Sequence, residues 1–492
     1  MKRKIYLFIL LSFAVAANAQ VFEKDKNNSD FDDFRKSIHE DFDDFRSEIM
    51  KEYINFVRAP WKESGSTPPQ AAPKDIPVPP IVKPAEEDGA EEQPVEDVPT
   101  VVEEVLVPVE PAPQPQPVEP VKEVDNFDEA YVEFSFFGTD VKVRFDINEK
   151  VTLEKVDENS VADALERVST RAYNNMLVDC LATRRDLKLS DWAYINFLKS
   201  LAEKVYGNDK NSATLLTAYL YMKSGYQMRL ASYDNRLYML YASKHLIYEK
   251  ESYMLDGNMY YGIEELPARL RICNVAFENE KSLSLLLAGG QGFNHAATET
   301  RVIKSAKYPD ISVTVSVNKN LLDFYSTYPT SMIGDNMMTR WAMYANTPLE
   351  KGVADEVYPQ LKSKLEGLGE LDAVNRLLDF VQTGYTYEYD DKVWGKDRIF
   401  FPDEGIFYPY NDCDDRSVIF SRLVRDPTGL DVAVVMVPGH ILTAVRFNEN
   451  VKGQSITVEG KKYILCEPTC VNGAPVGWAD IAGRGKVSVI KL

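Results

Sequence analysis

Asn411-Asp412-Cys413-Asp414-Asp415-Arg416 runs directly into Val418, Ile419, Leu423 and Val424, which are spaced as one face of a helix. Asn411 or Asp412 is a good N-cap, and that places Cys413 in the first helical turn. Backbone N–H groups and the helix dipole stabilise a thiolate there, while the three neighbouring carboxylates oppose it. A reactive Cys413 therefore needs an imidazolium close by; the alternative is a buried, inert cysteine. His440 follows in Pro438-Gly439-His440-Ile441-Leu442-Thr443-Ala444-Val445, opening an apolar strand after the run Val432 to Val437. It is the only histidine beyond residue 295. Next comes Tyr463-Ile464-Leu465-Cys466-Glu467-Pro468-Thr469, where a carboxylate ends another apolar strand. Nucleophile, base and orienting acid thus stand in chain order.

This order resembles the transglutaminase-like superfamily of papain-type cysteine enzymes over about residues 370–470. That family carries its Cys at a helix N-terminus in a Gly-x-Cys-x-Asp-type motif, its His on a strand and its acid in an Asp-Pro-Thr-like motif. Cys413, His440 and Glu467 stand at those positions. Tyr387, Asp390, Gly395, Asp397, Pro402 and Glu404 also resemble the approach to the nucleophile in bacterial transglutaminase-like cysteine peptidases. The chain departs from the pattern at Asn411 (usually Gly), at Ile441-Leu442 (usually an aromatic) and at Glu467 (usually Asp).

The resemblance implies a papain/transglutaminase-like core, with Cys on a helix N-terminus and His and acid on antiparallel strands. It implies attack by Cys413 on an amide or ester carbonyl, protonation of the leaving group by His440, and orientation of the imidazole by Glu467. The acyl group would pass to water or to an amine, with a peptide or protein as substrate and no cofactor. An oxyanion hole is needed; the Cys413 backbone N–H and the side chain of Gln382 or Trp394 are its candidates.

Outward from this core the chain changes character. Residues 1–19 read as a signal peptide: Lys2, Arg3 and Lys4, then an apolar stretch from Ile5 to Ala16, then Ala17-Asn18-Ala19. A periplasmic or secreted location follows. Residues 20–64 are expected to form an amphipathic helix, because Asp30-Phe31-Asp32-Asp33-Phe34-Arg35 returns eleven residues later as Asp41-Phe42-Asp43-Asp44-Phe45-Arg46. Its apolar stripe, Phe31 through Phe56, must self-associate in coiled-coil fashion, pack back on its own domain, or dock on an envelope protein partner through residues 30–62, and self-association or a partner is the favoured reading. Residues 65–124 hold 15 of the 27 prolines, with thirteen acidic residues against three lysines, and read as a disordered linker.

The globular part begins near Asn126. Tyr131–Phe136 and Val141–Phe145 signal a hairpin, about 161–221 and 356–381 helices, and about 226–263 strands with an Asp256-Gly257 turn. The whole is an α+β pattern without a Rossmann rhythm, divided here into a region 125–350 and a catalytic core 351–492.

A net charge of −20 argues against nucleic acid as a partner. Five cysteines permit two disulfides at most, and Cys466 and Cys470 lack the further ligands of a zinc site, so no metal is expected. The acids between Asp390 and Asp415 do not follow an EF-hand spacing and are read as a solvated rim. Gly289-Gly290-Gln291-Gly292 lacks the ending of a phosphate loop and reads as a turn. A non-catalytic scaffold acting through the N-terminal helix and linker is the competing functional reading.

Overall fold

The computed structural model describes residues 48–73, 79–83, 98–106, 111, 113–123, 130–169, 173–481 and 483–492. The signal-like stretch and both copies of the Asp-Phe repeat lie outside them. Two compact units are present, Met1–Phe56 and Val57–Leu492. The described residues of the first, 48–56, are helical.

In the second unit the helix expected to reach residue 64 gives way earlier. Pro60, which has no N–H to continue a helix, precedes the strand Lys62–Gly65 (β1). The segment 65–124 is also not uniformly a linker. Val98–Thr100 (β2) and Glu104–Leu106 (β3) are strands, and Glu119 forms a buried ion pair with Lys223. Composition predicts poor burial for a segment standing alone; a sheet edge supplies the missing backbone partners.

The predicted hairpin is present as Tyr131–Phe136 (β4) and Thr139–Arg144 (β5), joined through Phe137 and Gly138, both at positive φ. Four helices follow as expected: Glu158–Val168 (α1), Asn174–Asp186 (α2), Asp191–Tyr206 (α3) and Lys210–Lys223 (α4). Side chains of Asp157, Ser190 and Asp209 cap α1, α3 and α4. Strands Met228–Tyr233 (β6), Arg236–Ser243 (β7), His245–Ile247 (β8), Ser252–Leu255 (β9), Asn258–Gly262 (β10) and Arg269–Cys273 (β11) come next. Asp256 and Gly257 turn β9 into β10. Arg301–Lys304 (β12), Ser312–Val315 (β13), Lys319–Tyr325 (α5) and Ser331–Ile333 (β14) complete this half.

One antiparallel sheet has the order β1-β11-β6-β7-β10-β9. Beyond β1, Thr67 pairs with Ser252 of β9, the strand at the opposite edge, so the sheet curls back on itself. Inside lie Ala231, Leu240, Ala242, Tyr253, Tyr260, Leu270 and Ile272, all buried. Tyr253 and Tyr260 pack the inside of the sheet, whereas Tyr233 at the end of β6 is exposed.

Then come helices Met338–Asn346 (α6), Lys351–Leu365 (α7), Glu370–Gly384 (α8), Asp390–Val393 (α9), Pro402–Phe407 (α10) and Cys413–Thr428 (α11). Strands Asp431–Val437 (β15), His440–Arg446 (β16), Gln454–Val458 (β17), Lys461–Cys466 (β18) and Ser488–Lys491 (β19) follow. Their sheet runs β2-β17-β18-β16-β15-β19-β3, antiparallel except for the two short edge strands. Ala433, Val435, Val437, Leu442 and Ala444 alternate into its core. The apolar face of α11 is fully buried and packs against β15 and β16.

The protein is thus mixed α+β. Residues 57–492 form one compact unit, so the expected boundary at 350/351 does not separate two bodies. Among the described residues no helix is long and apolar enough to cross a membrane.

Candidate active site

Cys413 is the first residue of α11, with Asp412 in extended conformation before it. The Asp412 side chain makes no capping bond, so the helix start is held in other ways. Asn411 donates from Nδ2 to the Gly405 carbonyl at 2.9 Å and from its backbone to Thr386 at 3.1 Å. One turn into α11, Ser417 Oγ contacts the carbonyls of Cys413 (2.7 Å) and Ile441 (3.2 Å), tying the helix that carries Cys413 to the strand that carries His440.

His440 opens β16 after a two-residue turn of Pro438 and Gly439. Gly439 sits at φ +75°, which glycine adopts without Cβ strain. Glu467 follows the last residue of β18, and β18 pairs with β16. The pairing brings acid and imidazole together: His440 Nε2 lies 2.9 Å from Glu467 Oε2, with both side chains buried. Donation from Nε2–H to the carboxylate leaves Nδ1 as the basic nitrogen, and Nδ1 has no hydrogen-bond partner in the protein. The other carboxylate oxygen accepts from the Thr469 hydroxyl and, at 3.3 Å, from the Thr469 N–H.

Cys413 and His440 line one cavity of about 540 Å³. It is also lined from the N-terminal half of the unit, by Tyr248, Lys250 and Tyr328, and by Trp341 and Tyr387. Burial lowers the Lys250 pKa and, with help from Cys413 and Asp412, raises that of Tyr387. A larger groove of about 1610 Å³ runs past the Gly289–Gly292 loop but is lined by no cysteine or histidine.

Cys413 is half-buried, whereas Cys180, Cys273, Cys466 and Cys470 are buried; no disulfide joins any of the five. Burial pushes the Cys273 thiol up to about 12 and also raises the other three. Cys413 is therefore the most accessible of the five thiols, and it lines the same cavity as His440.

Neither expected oxyanion side chain lines this cavity. Gln382 is buried and donates to the carbonyls of Glu467 (2.8 Å) and Ala474 (3.1 Å), while its own oxygen accepts from the Ala474 N–H. Trp394 packs edge-on against Phe400 and Tyr408 under the Arg398 guanidinium. Tyr387 is on the cavity wall instead, and its place in the approach to Cys413 was the one sequence signal for it. Lys250 and Tyr328 gave no such signal, since they are far from Cys413 in sequence.

The acids around Cys413 are mostly not a solvated rim, although Asp391 is exposed and Asp397 half-buried. Asp390, Asp403, Glu404, Asp412, Asp414 and Asp415 are all buried. Asp414 and Asp415 are raised well above the carboxylate range, first by burial and then by Asp412. Burial raises Asp403 and Glu404 to about 7, although Glu404 pairs with Arg398. Oxygens of Asp412, Asp414 and Asp415 lie within 4.8 Å of one another, a spacing one cation would fit. Trp341 Nε1 and the Asp415 N–H already bond the Asp414 oxygens, at 3.0 and 2.9 Å. Behind them Arg416 is buried and donates to the carbonyls of Gln382 and Tyr385, each at 3.0 Å. The acids and Arg416 thus serve to hold the start of α11.

No family model, curated protein or solved structure matches this chain. The functional reading therefore rests on the site alone.

Proposed function

We propose that the protein is an exported cysteine hydrolase or acyltransferase with a transglutaminase-like core, acting on amide bonds of a peptide or protein. The observation that carries this reading is the 2.9 Å contact between His440 and Glu467, with Nδ1 of the same ring making no hydrogen bond and with His440 and Cys413 lining one cavity.

In this mechanism Nδ1 takes the Cys413 proton and the sulfur attacks the substrate carbonyl. Glu467 keeps Nε2 protonated and stabilises the imidazolium. The C–N bond breaks as the imidazolium gives its proton to the leaving amine, and a thioester remains on Cys413. Water, or a second amine, then attacks the thioester with Nδ1 again as base, and the thiol is restored. The N–H at the head of α11 is aimed at the developing oxyanion by the same helix that carries the sulfur. Export is supported by residues 1–19.

The test is the rate at which iodoacetamide alkylates Cys413 across pH. Cys413 is expected to react much faster than the other four thiols, with a midpoint below about 8.5, and His440→Ala is expected to slow it. Slow, equal labelling of every accessible thiol, unaffected by His440→Ala, would leave the scaffold reading.

A further inference from the structure

The chain's own residues 66–73, Ser66-Thr67-Pro68-Pro69-Gln70-Ala71-Ala72-Pro73, run from the edge of the curled sheet to the catalytic cavity. Their contacts are main-chain contacts. Ser66 N–H reaches the Ala268 carbonyl at 2.9 Å; Thr67 and Ser252 exchange bonds at 2.7 and 3.3 Å; Glu249 N–H reaches the Gln70 carbonyl at 2.8 Å. Ala71, Ala72 and Pro73 then line the same cavity as Cys413 and His440, beside Tyr248, Glu249 and Lys250. On the acid's side, Ile81 is buried and pairs with Cys470, three residues beyond Glu467, through a 2.9 Å bond from Val471 N–H to the Ile81 carbonyl.

We infer that residues 66–73 occupy the path by which an extended polypeptide substrate reaches Cys413, a reading that rests on Cys413 being the nucleophile. The binding mode is strand addition: an exposed sheet edge bonds any extended chain through backbone groups common to all sequences. Here β9 supplies the edge and the Glu249 amide the last anchor before the cavity. The occupant is extended, donates from Ser66 and Thr67 at the sheet edge, has no N–H to donate at Pro68 and Pro69, and carries the small side chains of Ala71 and Ala72 where it meets the cavity. The substrate class is therefore an unfolded or extended protein segment rather than a small amide. The protein's own segment holds that place in competition with it, and an incoming chain displaces it by remaking the bonds to Ser252 and Glu249.

The experiment compares two rates on the full chain: modification of Cys413 by iodoacetamide, and by a polymer-linked maleimide too large to pass residues 71–73. Their ratio reports access and cancels the intrinsic reactivity of the thiol, so it stays readable even if His440 does not activate Cys413. Ala72→Asp, which adds a carboxylate to a cavity also lined by Asp390, Asp391 and Asp412, and Thr67→Pro, which removes the N–H bonded to Ser252, are each expected to raise the ratio of large to small reagent about tenfold. Hydrogen exchange at the Glu249 and Ser252 amides is expected to quicken in both variants while Met259–Gly262 stays protected, which marks an intact sheet. A synthetic peptide of residues 66–73 is expected to restore the lower ratio. Faster exchange with an unchanged ratio would overturn the inference, and so would unchanged exchange and ratio in both variants.

Discussion

Gln382 Nε2 donates to the backbone carbonyl of Glu467 at 2.8 Å, and the same side chain bonds both backbone groups of Ala474. One amide on α8 therefore clamps two points of the loop that carries the acid of the candidate triad. Its side chain is occupied in positioning Glu467 and is not free to meet a substrate oxygen.

Gln382→Ala leaves two buried carbonyls and one N–H without these partners, at about 1–3 kcal/mol for each group that finds no replacement. The expected result is a clearly lowered unfolding midpoint together with slower Cys413 alkylation. Denaturant titration and iodoacetamide kinetics on the same preparation check it.

Glu467→Gln keeps an acceptor for Thr469 but turns an amide N–H₂ toward His440 Nε2. The imidazole then favours the opposite tautomer, with its proton on Nδ1, and loses its base toward Cys413. Alkylation at neutral pH is expected to fall about tenfold or more, with far less change in stability. Equal rates for the two proteins would show that the acid does not orient the ring.

Trp394→Ala removes a ring packed on Phe400, Tyr408 and Arg398, none of which lines the Cys413 cavity. The expected loss is stability, about 2–3 kcal/mol for a half-buried aromatic, with the alkylation rate unchanged. A rate that fell in step with the Gln variant of Glu467 would return Trp394 to the site.

Asp403 and Glu404 sit at about 7 in the folded protein, raised by burial, and Asp414 and Asp415 are raised in the same direction. Between the unfolded carboxylate range near 4 and pH 7, the folded chain holds protons that the unfolded chain has lost. Stability therefore falls as pH rises through this window. Thermal melts are expected to show a higher midpoint near pH 5 than near pH 8. The difference should shrink in Asp403→Asn, which keeps an acceptor for the Glu350 N–H, 2.9 Å away.

Much of the site was legible locally. A helix start, a strand opening and a strand end can each be read from a few neighbouring residues, because capping, periodicity and turn chemistry act over short spans. That is why Cys413, His440 and Glu467 stood out. Gln382 and Trp394 misled for the same reason. Their positions upstream of Cys413 said nothing about which way their side chains face, and packing against distant loops turned Gln382 toward Ala474. The acids from Asp390 to Asp415 misled because charge predicts solvent, whereas this fold buries six of them and leaves Asp391 exposed.

By itself, then, the sequence determined the α+β alternation, the hairpin at Tyr131, the helix that begins at Cys413 and the chain order of the candidate triad, all consequences of short-range periodicity. Only the tertiary structure decided that β16 and β18 pair so that Glu467 meets His440, and that Lys250 and Tyr328 wall the cavity. It also decided that residues 66–73 and the short strands at 98 and 104 find partners within a segment whose composition forbids a core of its own. Those outcomes depend on backbone hydrogen bonds between segments far apart in the chain, and a sheet edge accepts such bonds with little regard to side chains.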